Sequence, residues 1–415
     1  MTSISARPAL SRPEFIALVA ALMSLNALAI DIMLPALPYM GEALGVSHEN
    51  ERQLVVGAYM LGFGIAQLAF GPLSDRFGRR APLLVGLAVY VACAFAATFA
   101  PTFAALLGLR FLQGVGAAST RVIATSVVRD RFAGREMAEV MSLTFMVLMA
   151  IPIIAPGVGQ ILLLTGPWQT IFIFMAGLAL AFSVWAYLRL PETLDPANRR
   201  PLTISAVTEG FRIVVSNRMA FFYGLAGMFL FSAIVGFIST SQQVFVDIYG
   251  LGVWFPLAFA GMAALMSVSS FLNSRIVRRF GMRRISHTAL VVMTAGGLLL
   301  TVLSLIGPVP FWVFFTLLCA MMFMFGWAAS NMNSLSMEPL GRVAGTASSV
   351  FGFIQTVGGA LIGTLIGQQF NGTVTPTAVG YLLAGGMALV CALIAERGRL
   401  FGVSPEYAAP GPGAH

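Results

Sequence analysis

Three charged side chains, Asp31, Arg110 and Arg121, lie inside stretches otherwise long and apolar enough to cross a bilayer. An ionisable group at membrane depth is costly to keep there, and its default reading is functional. Asp31 and Arg110 each fall about seven residues, or roughly 10 Å, from one end of their segments, a common depth at which acid and cation can face each other. Arg121 returns to within about 20° of the Arg110 face, about 16 Å further along the same helix. The single acid neutralises one of the two arginines. Two readings follow. In one, Arg110 pairs with Asp31 as structural glue and Arg121 snorkels to the interface. In the other, which we adopt, the three line an aqueous cavity and bind substrate or couple protons. A carboxylate beside a guanidinium in a dry cavity exchanges its proton when a substrate comes between them, which makes Asp31 the protonation site and Arg110 its partner. The histidines are placed elsewhere: His48 in a connection, His287 at the end of a segment and His415 at the last position.

The elements that position these groups follow from composition. A chain of 415 residues that is 58% hydrophobic and only 10% charged cannot cover its apolar surface in an ordinary soluble core. Apolar runs of about 20 residues match about 30 Å of hydrocarbon, and twelve occur, at roughly 15–38, 53–73, 82–100, 104–127, 137–163, 168–190, 219–242, 254–274, 286–306, 310–332, 343–369 and 378–396. All 24 basic residues are arginines, and all but Arg52, Arg110 and Arg121 fall on one side if both termini are cytoplasmic, as the positive-inside rule requires. The first segment follows Arg7 and Arg12 but has no small-residue cleavage site, so it reads as a retained helix. The +8 formal charge therefore reports topology and not nucleic-acid binding.

One long connection, 191–218, separates an N-terminal bundle at 1–190 from a C-terminal bundle at 219–415, six segments each. Its later part, 204–215, has helical spacing and reads equally as an amphipathic helix on the inner membrane surface or as a solvated linker. The fold class is thus all-α integral membrane protein, with twelve helices in two pseudo-symmetric six-helix bundles. Setting Phe77-Gly78 on Phe280-Gly281 aligns the halves, and places Arg278 where the first half has Asp75.

Amides Gln242, Asn331 and Gln355 are candidates for a polar substrate lining, with Met149, Phe231 and Trp327 as adaptable apolar wall. Pro152, Pro156, Gly157 and Gly159 form a helix irregularity that reads as a bend or a gate hinge. Cys93, Cys319 and Cys391 have no metal-ligand spacing, and no triad, metal cluster or phosphate-binding loop is present at motif level. The chain is not read as an enzyme, and transport would run on an ion gradient, with no cofactor.

Several motifs resemble the major facilitator superfamily. Gly71-Pro72-Leu73-Ser74-Asp75-Arg76-Phe77-Gly78-Arg79-Arg80 is similar to its loop signature between helices 2 and 3. Leu109-Arg110-Phe111-Leu112-Gln113-Gly114 resembles the helix 4 signature of proton-coupled members, and Ala155-Pro156-Gly157-Val158-Gly159 the helix 5 signature of exporters. Ile30-Asp31 through Pro35 and Pro38, Val128-Arg129-Asp130-Arg131-Phe132, and Met337-Glu338-Pro339-Leu340-Gly341 are similar to the bicyclomycin and chloramphenicol resistance (Bcr/CflA) branch of twelve-span drug:proton antiporters. The resemblance implies an exporter of small amphipathic compounds in the bacterial inner membrane, exchanging substrate for protons by alternating access, and we expect it to work as a monomer. It also implies a conformational latch in which Gly71, Asp75, Arg76, Gly78 and Arg79 of the first connection engage Arg129 or Arg131 and the N-terminal end of helix 11. The alternatives are a proton-coupled importer on the same fold and a non-transporting membrane receptor.

Overall fold

A computed structural model describes residues 10–132, 134–199 and 204–402. Arg7, Pro201, His415 and the side chains at 341–346 lie outside the described residues. Every regular element described is helical, and the chain divides into two compact units, Met1–Ile204 and Ser205–His415. Among the described residues, eleven helices are long and apolar enough to cross a membrane. The twelfth, α5 (Phe103–Arg131), is 29 residues long but dilutes its apolar content with Arg110, Gln113 and Arg121.

The first unit begins with α1 (Arg12–Asp31), capped by the Ser11 hydroxyl, which accepts from the Glu14 amide. The helix ends at Asp31. The expected continuous segment 15–38 is broken there because Pro35 supplies no N–H for the Asp31 carbonyl four residues back. A tight turn at Leu34–Ala36 and a short α2 (Leu37–Ala43) complete the segment. There follow α3 (Leu54–Phe77), α4 (Arg80–Ala97), α5, α6 (Gly134–Thr165) and α7 (Gln169–Arg189). Close packing of α5 rests on small residues. A Cβ at Gly114 would strike the Tyr59 backbone of α3, and one at Gly116 the Gly86 and Tyr90 backbone of α4.

The segment at 71–80 is not a loop over most of its length. α3 passes through Pro72 and stops only at Gly78, whose φ of 91° and ψ of 166° suit glycine almost alone. The same happens in the second unit, where α10 (Phe255–Phe280) ends at Gly281 with φ 80°. Hydropathy ended both helices too early, because a helix continues past the lipid wherever its backbone stays unhindered. α6 is likewise unbroken across Pro152 and Pro156. Gly157 is open, whereas a Cβ at Gly159 would strike the Ile32 carbonyl, so Gly159 admits the kink after α1.

The second unit contains α8 (Ile204–Ser216), α9 (Arg218–Gln242), α10, α11 (Met282–Ile306), α12 (Phe311–Met337), α13 (Ala344–Phe353), α14 (Gly359–Gln368) and α15 (Thr375–Ala395). π-helical turns at Gln243–Ile248 and Ile354–Gly358 follow α9 and separate α13 from α14. The core gathers Tyr223, Leu230, Leu290, Met293, Met332, Leu335 and Ala388. α8 packs one face on the second unit and so is not a free solvated linker. Its Val214 and Phe211 pack with Leu340, Val350 and Phe351, and Phe211 meets Phe353 edge-on at 5.8 Å.

Candidate substrate and proton site

Arg110 is completely buried on α5, and its guanidinium is held by uncharged groups. Its Nη2 donates to the Ala29 carbonyl of α1 at 2.9 Å, its Nε to the Val55 carbonyl of α3 at 3.3 Å, and its Nη1 to Gln113 Oε1 at 2.8 Å. The Tyr59 ring lies 4.4 Å from the guanidinium carbon, and the Tyr59 hydroxyl donates to Asn26 Oδ1 at 3.1 Å. One cation thus ties α1, α3 and α5 together.

The expected ion pair with Asp31 is absent. The break after α1 exposes carbonyls that a guanidinium can bond directly, and Ala29 takes the donor that the Asp31 side chain was expected to receive. Asp31 is only 4% exposed, and among the described residues no hydrogen bond or ion pair reaches its carboxyl group. Arg121 is exposed, and its guanidinium lies 6.0 Å from the Phe63 ring, which stacks at 6.5 Å on Tyr59. Both arginines therefore stand over one aromatic pair of α3.

At the arginine-rich end of the same unit a second constellation forms around Arg79, 5% exposed. Its side chain bonds Asp75 Oδ1 at 2.5 Å, Ser74 Oγ at 2.9 Å and Asp130 at 2.8 and 3.4 Å. Desolvation works against its charge, yet the bonds to Asp130 and Asp75 win and raise its pKa above the ordinary arginine value. Glu192, just past α7, accepts from the Arg79 and Arg80 amides at 2.8 and 3.2 Å and so caps α4. A side chain at Gly78 would collide with that carboxylate. Thr193 donates to Asp130 at 3.0 Å. Within the expected latch Asp75 pairs with Arg79, and among the described residues no ion pair joins it to Arg129 or Arg131. Arg131 instead donates to the Leu10 carbonyl at 2.7 Å and lies 4.8 Å from the Phe15 ring, while Arg129 is exposed and Arg76 rests by Phe77. Gly71 contributes its carbonyl, which accepts from Ser74 at 2.9 Å.

The second unit carries its own cluster. Arg283, buried at the start of α11, bonds Glu396 Oε1 at 2.7 Å and Glu338 Oε2 at 3.2 Å. Tyr223 donates to Glu396 at 2.8 Å and shares a bond with His287 Nε2 at 3.0 Å, and His287 Nδ1 accepts from the Phe401 amide at 3.0 Å. Sequence reasoning gave Asp130, Glu192, Glu338 and Glu396 no role of their own, although Asp130 and Glu338 stand in the quoted motifs. Glu396 is the last residue of its apolar segment and the other three lie two to six residues past theirs, and that position was the available signal.

The expected lining residues of this unit differ in what they have left to offer. Asn331 is satisfied, donating to Asn273 Oδ1 at 2.9 Å and to the Trp327 carbonyl at 2.8 Å, so it joins α10 to α12. Gln355 and Phe231 fill the spaces left by Gly227 and Gly359. Trp327 packs on the core with its Nε1 unpartnered, as is Gln242 Oε1. Met149, on α6 of the first unit, is exposed.

Two bundles of apolar helices with polar groups buried at membrane depth define a multi-pass membrane transporter of small molecules. The chain belongs to the Major Facilitator Superfamily, whose family model matches residues 19–363. It is 29% identical over 367 residues to a bicyclomycin resistance protein homolog of Haemophilus influenzae, covering 87% of this chain and 91% of that one. It is 30% identical over 347 residues to the multidrug resistance protein MdtL of Escherichia coli, covering 82% and 85%. Its fold is similar to that of a D-xylose–proton symporter, with a TM-score of 0.74 at 15% identity over 93% of this chain and 97% of that one. The family expectation is borne out: the protein is a transporter and not an enzyme.

Proposed function

We propose that the protein exports small amphipathic compounds from the bacterial cytoplasm across the inner membrane in exchange for protons, with both termini cytoplasmic. The observation that carries the proton part is Asp31, buried and, among the described residues, without a partner, while the expected cation Arg110 is spent on carbonyls. A carboxyl removed from water needs either a cation or a proton. With Arg110 occupied, a proton or a substrate is the compensating charge, and exchange of one for the other at Asp31 is the coupling step.

Arg110 acts in this scheme as a positioning residue: it ties the end of α1, two residues before Asp31, to the start of α3. The Arg79 and Arg283 clusters bind the helix ends within each unit, so that each moves as a body during alternating access. The export direction draws its support from the relatives named for bicyclomycin and multidrug resistance.

The test is a panel of antibiotic and dye susceptibilities in an efflux-deficient host. Expression of the native protein should raise tolerance to some of the panel, and Asp31→Asn should lose that tolerance at equal membrane abundance. Full tolerance with Asp31→Asn would remove Asp31 from the mechanism.

A further inference from the structure

The end of α9 and the first residue of the π-helical turn after it hold a run of buried polar residues, Ser239, Thr240, Ser241, Gln242 and Gln243. Most helical hydroxyls here satisfy themselves within the helix: Ser232 donates to Phe229 O at 2.7 Å, Thr240 to Gly236 O at 3.0 Å and Ser241 to Ile238 O at 2.8 Å. Ser239, 1% exposed, does not, and among the described residues its Oγ has no partner. Gln242 is 4% exposed and donates its Nε2 to Asp247 Oδ1 at 3.4 Å. That bond fixes the amide orientation, because a carboxylate accepts and only the NH₂ end donates. The Oε1 atom then faces away from Asp247, buried and unpaired.

Residues three apart share a helix face. Gln242 is also the last residue before the π-helical turn Gln243–Ile248, a local geometry that recurs at functional sites. Two orphaned groups, one an acceptor and the other a hydroxyl that donates or accepts, stand about 4.5 Å apart along the axis. Buried polar atoms are rarely left unpaired without a reason.

We propose that Ser239 and Gln242 form a hydrogen-bonding subsite for an uncharged part of the substrate, one carrying a hydroxyl or amide N–H donor. The inference rests on the exporter reading and adds the substrate class. Gln242 Oε1 accepts from the donor, and the Ser239 hydroxyl bonds an adjacent oxygen. Compounds lacking such a donor leave the pair unsatisfied and gain nothing from it.

The test uses the full-length protein in proteoliposomes with two probes. Chloramphenicol carries hydroxyl and amide donors; tetraphenylphosphonium carries none. Ser239→Ala and Gln242→Leu should each lower chloramphenicol transport about tenfold and change phosphonium transport less than about twofold, with Ser239→Thr restoring the loss. Ser239→Ala should also leave the melting temperature of the purified protein undiminished, because the native hydroxyl has no partner to lose. Equal losses for both probes, or a melting temperature lowered by Ser239→Ala, would make the pair structural and overturn the proposal. So would a native protein that moves phosphonium and not chloramphenicol. A native protein that moves neither probe and no other drug of the susceptibility panel would refute the exporter reading itself, and this subsite with it.

Discussion

The arginine clusters of the two units perform one task with different residues. In the first, Arg79 follows a glycine turn and bonds Asp75, one turn back on α3, and Asp130 at the end of α5. In the second, Arg283 follows a glycine turn and bonds Glu338 after α12 and Glu396 after α15. Matching the halves residue by residue puts Arg278 opposite Asp75 and leaves the second cluster without its acid. The cation is displaced by one residue, since Met282 stands opposite Arg79 and Arg283 opposite Arg80, and the acids come from other helix ends. What is kept between the units is a buried guanidinium with two carboxylates, and the chain supplies these from whichever helix end lies within reach.

That equivalence has consequences that rank by burial. Arg79→Ala leaves Asp130 and Asp75 without their cation and should cost about 3 kcal/mol of stability in detergent, measured by chemical unfolding. Arg283→Ala should cost nearly as much, about 2–3 kcal/mol, since Glu396 is also largely buried. If only Arg79→Ala destabilises, the units are not equivalent and the Arg278 substitution marks a real asymmetry.

The glycine turns sharpen the comparison. Both glycines adopt backbone angles that a side chain strains, about 1–3 kcal/mol each. A Cβ at Gly78 also displaces Glu192, whereas Gly281 opens on free space. Gly78→Ala should therefore lower the melting temperature more than Gly281→Ala, and equal losses would show that the Glu192 cap contributes little. Glu192→Gln keeps an acceptor but removes the charge from the α4 N-terminus, and should cost about 0.5–1 kcal/mol. The smallest effect is expected for Asp75→Asn, about 0.5 kcal/mol or less, because its carboxylate is 43% exposed and largely screened.

How much was legible in the sequence differs between the parts. Helix number and order follow from apolar run length, and Asp31 and Arg110 stand out because charge is rare in such runs. The partners of Arg110 were not legible. Backbone carbonyls belong to every residue, and only the break after α1 selects Ala29. Pro35 announced that break, but its effect on Asp31 depends on the carbonyl four residues back, and pattern alone pointed to side-chain pairing. The linker helix was half legible: its apolar spacing was plain, and its landing place on Val350 and Phe351 was not. The π-helical turns after α9 and α13 left no mark in the residue pattern.

In the proposed exchange Asp31, and not an Asp31–Arg110 ion pair, carries the coupled proton. In proteoliposomes, Asp31→Asn should abolish substrate transport driven by a pH gradient and leave substrate exchange at equal pH on both sides intact. Transport by Asp31→Asn that still follows the pH gradient would place the coupled proton on another group.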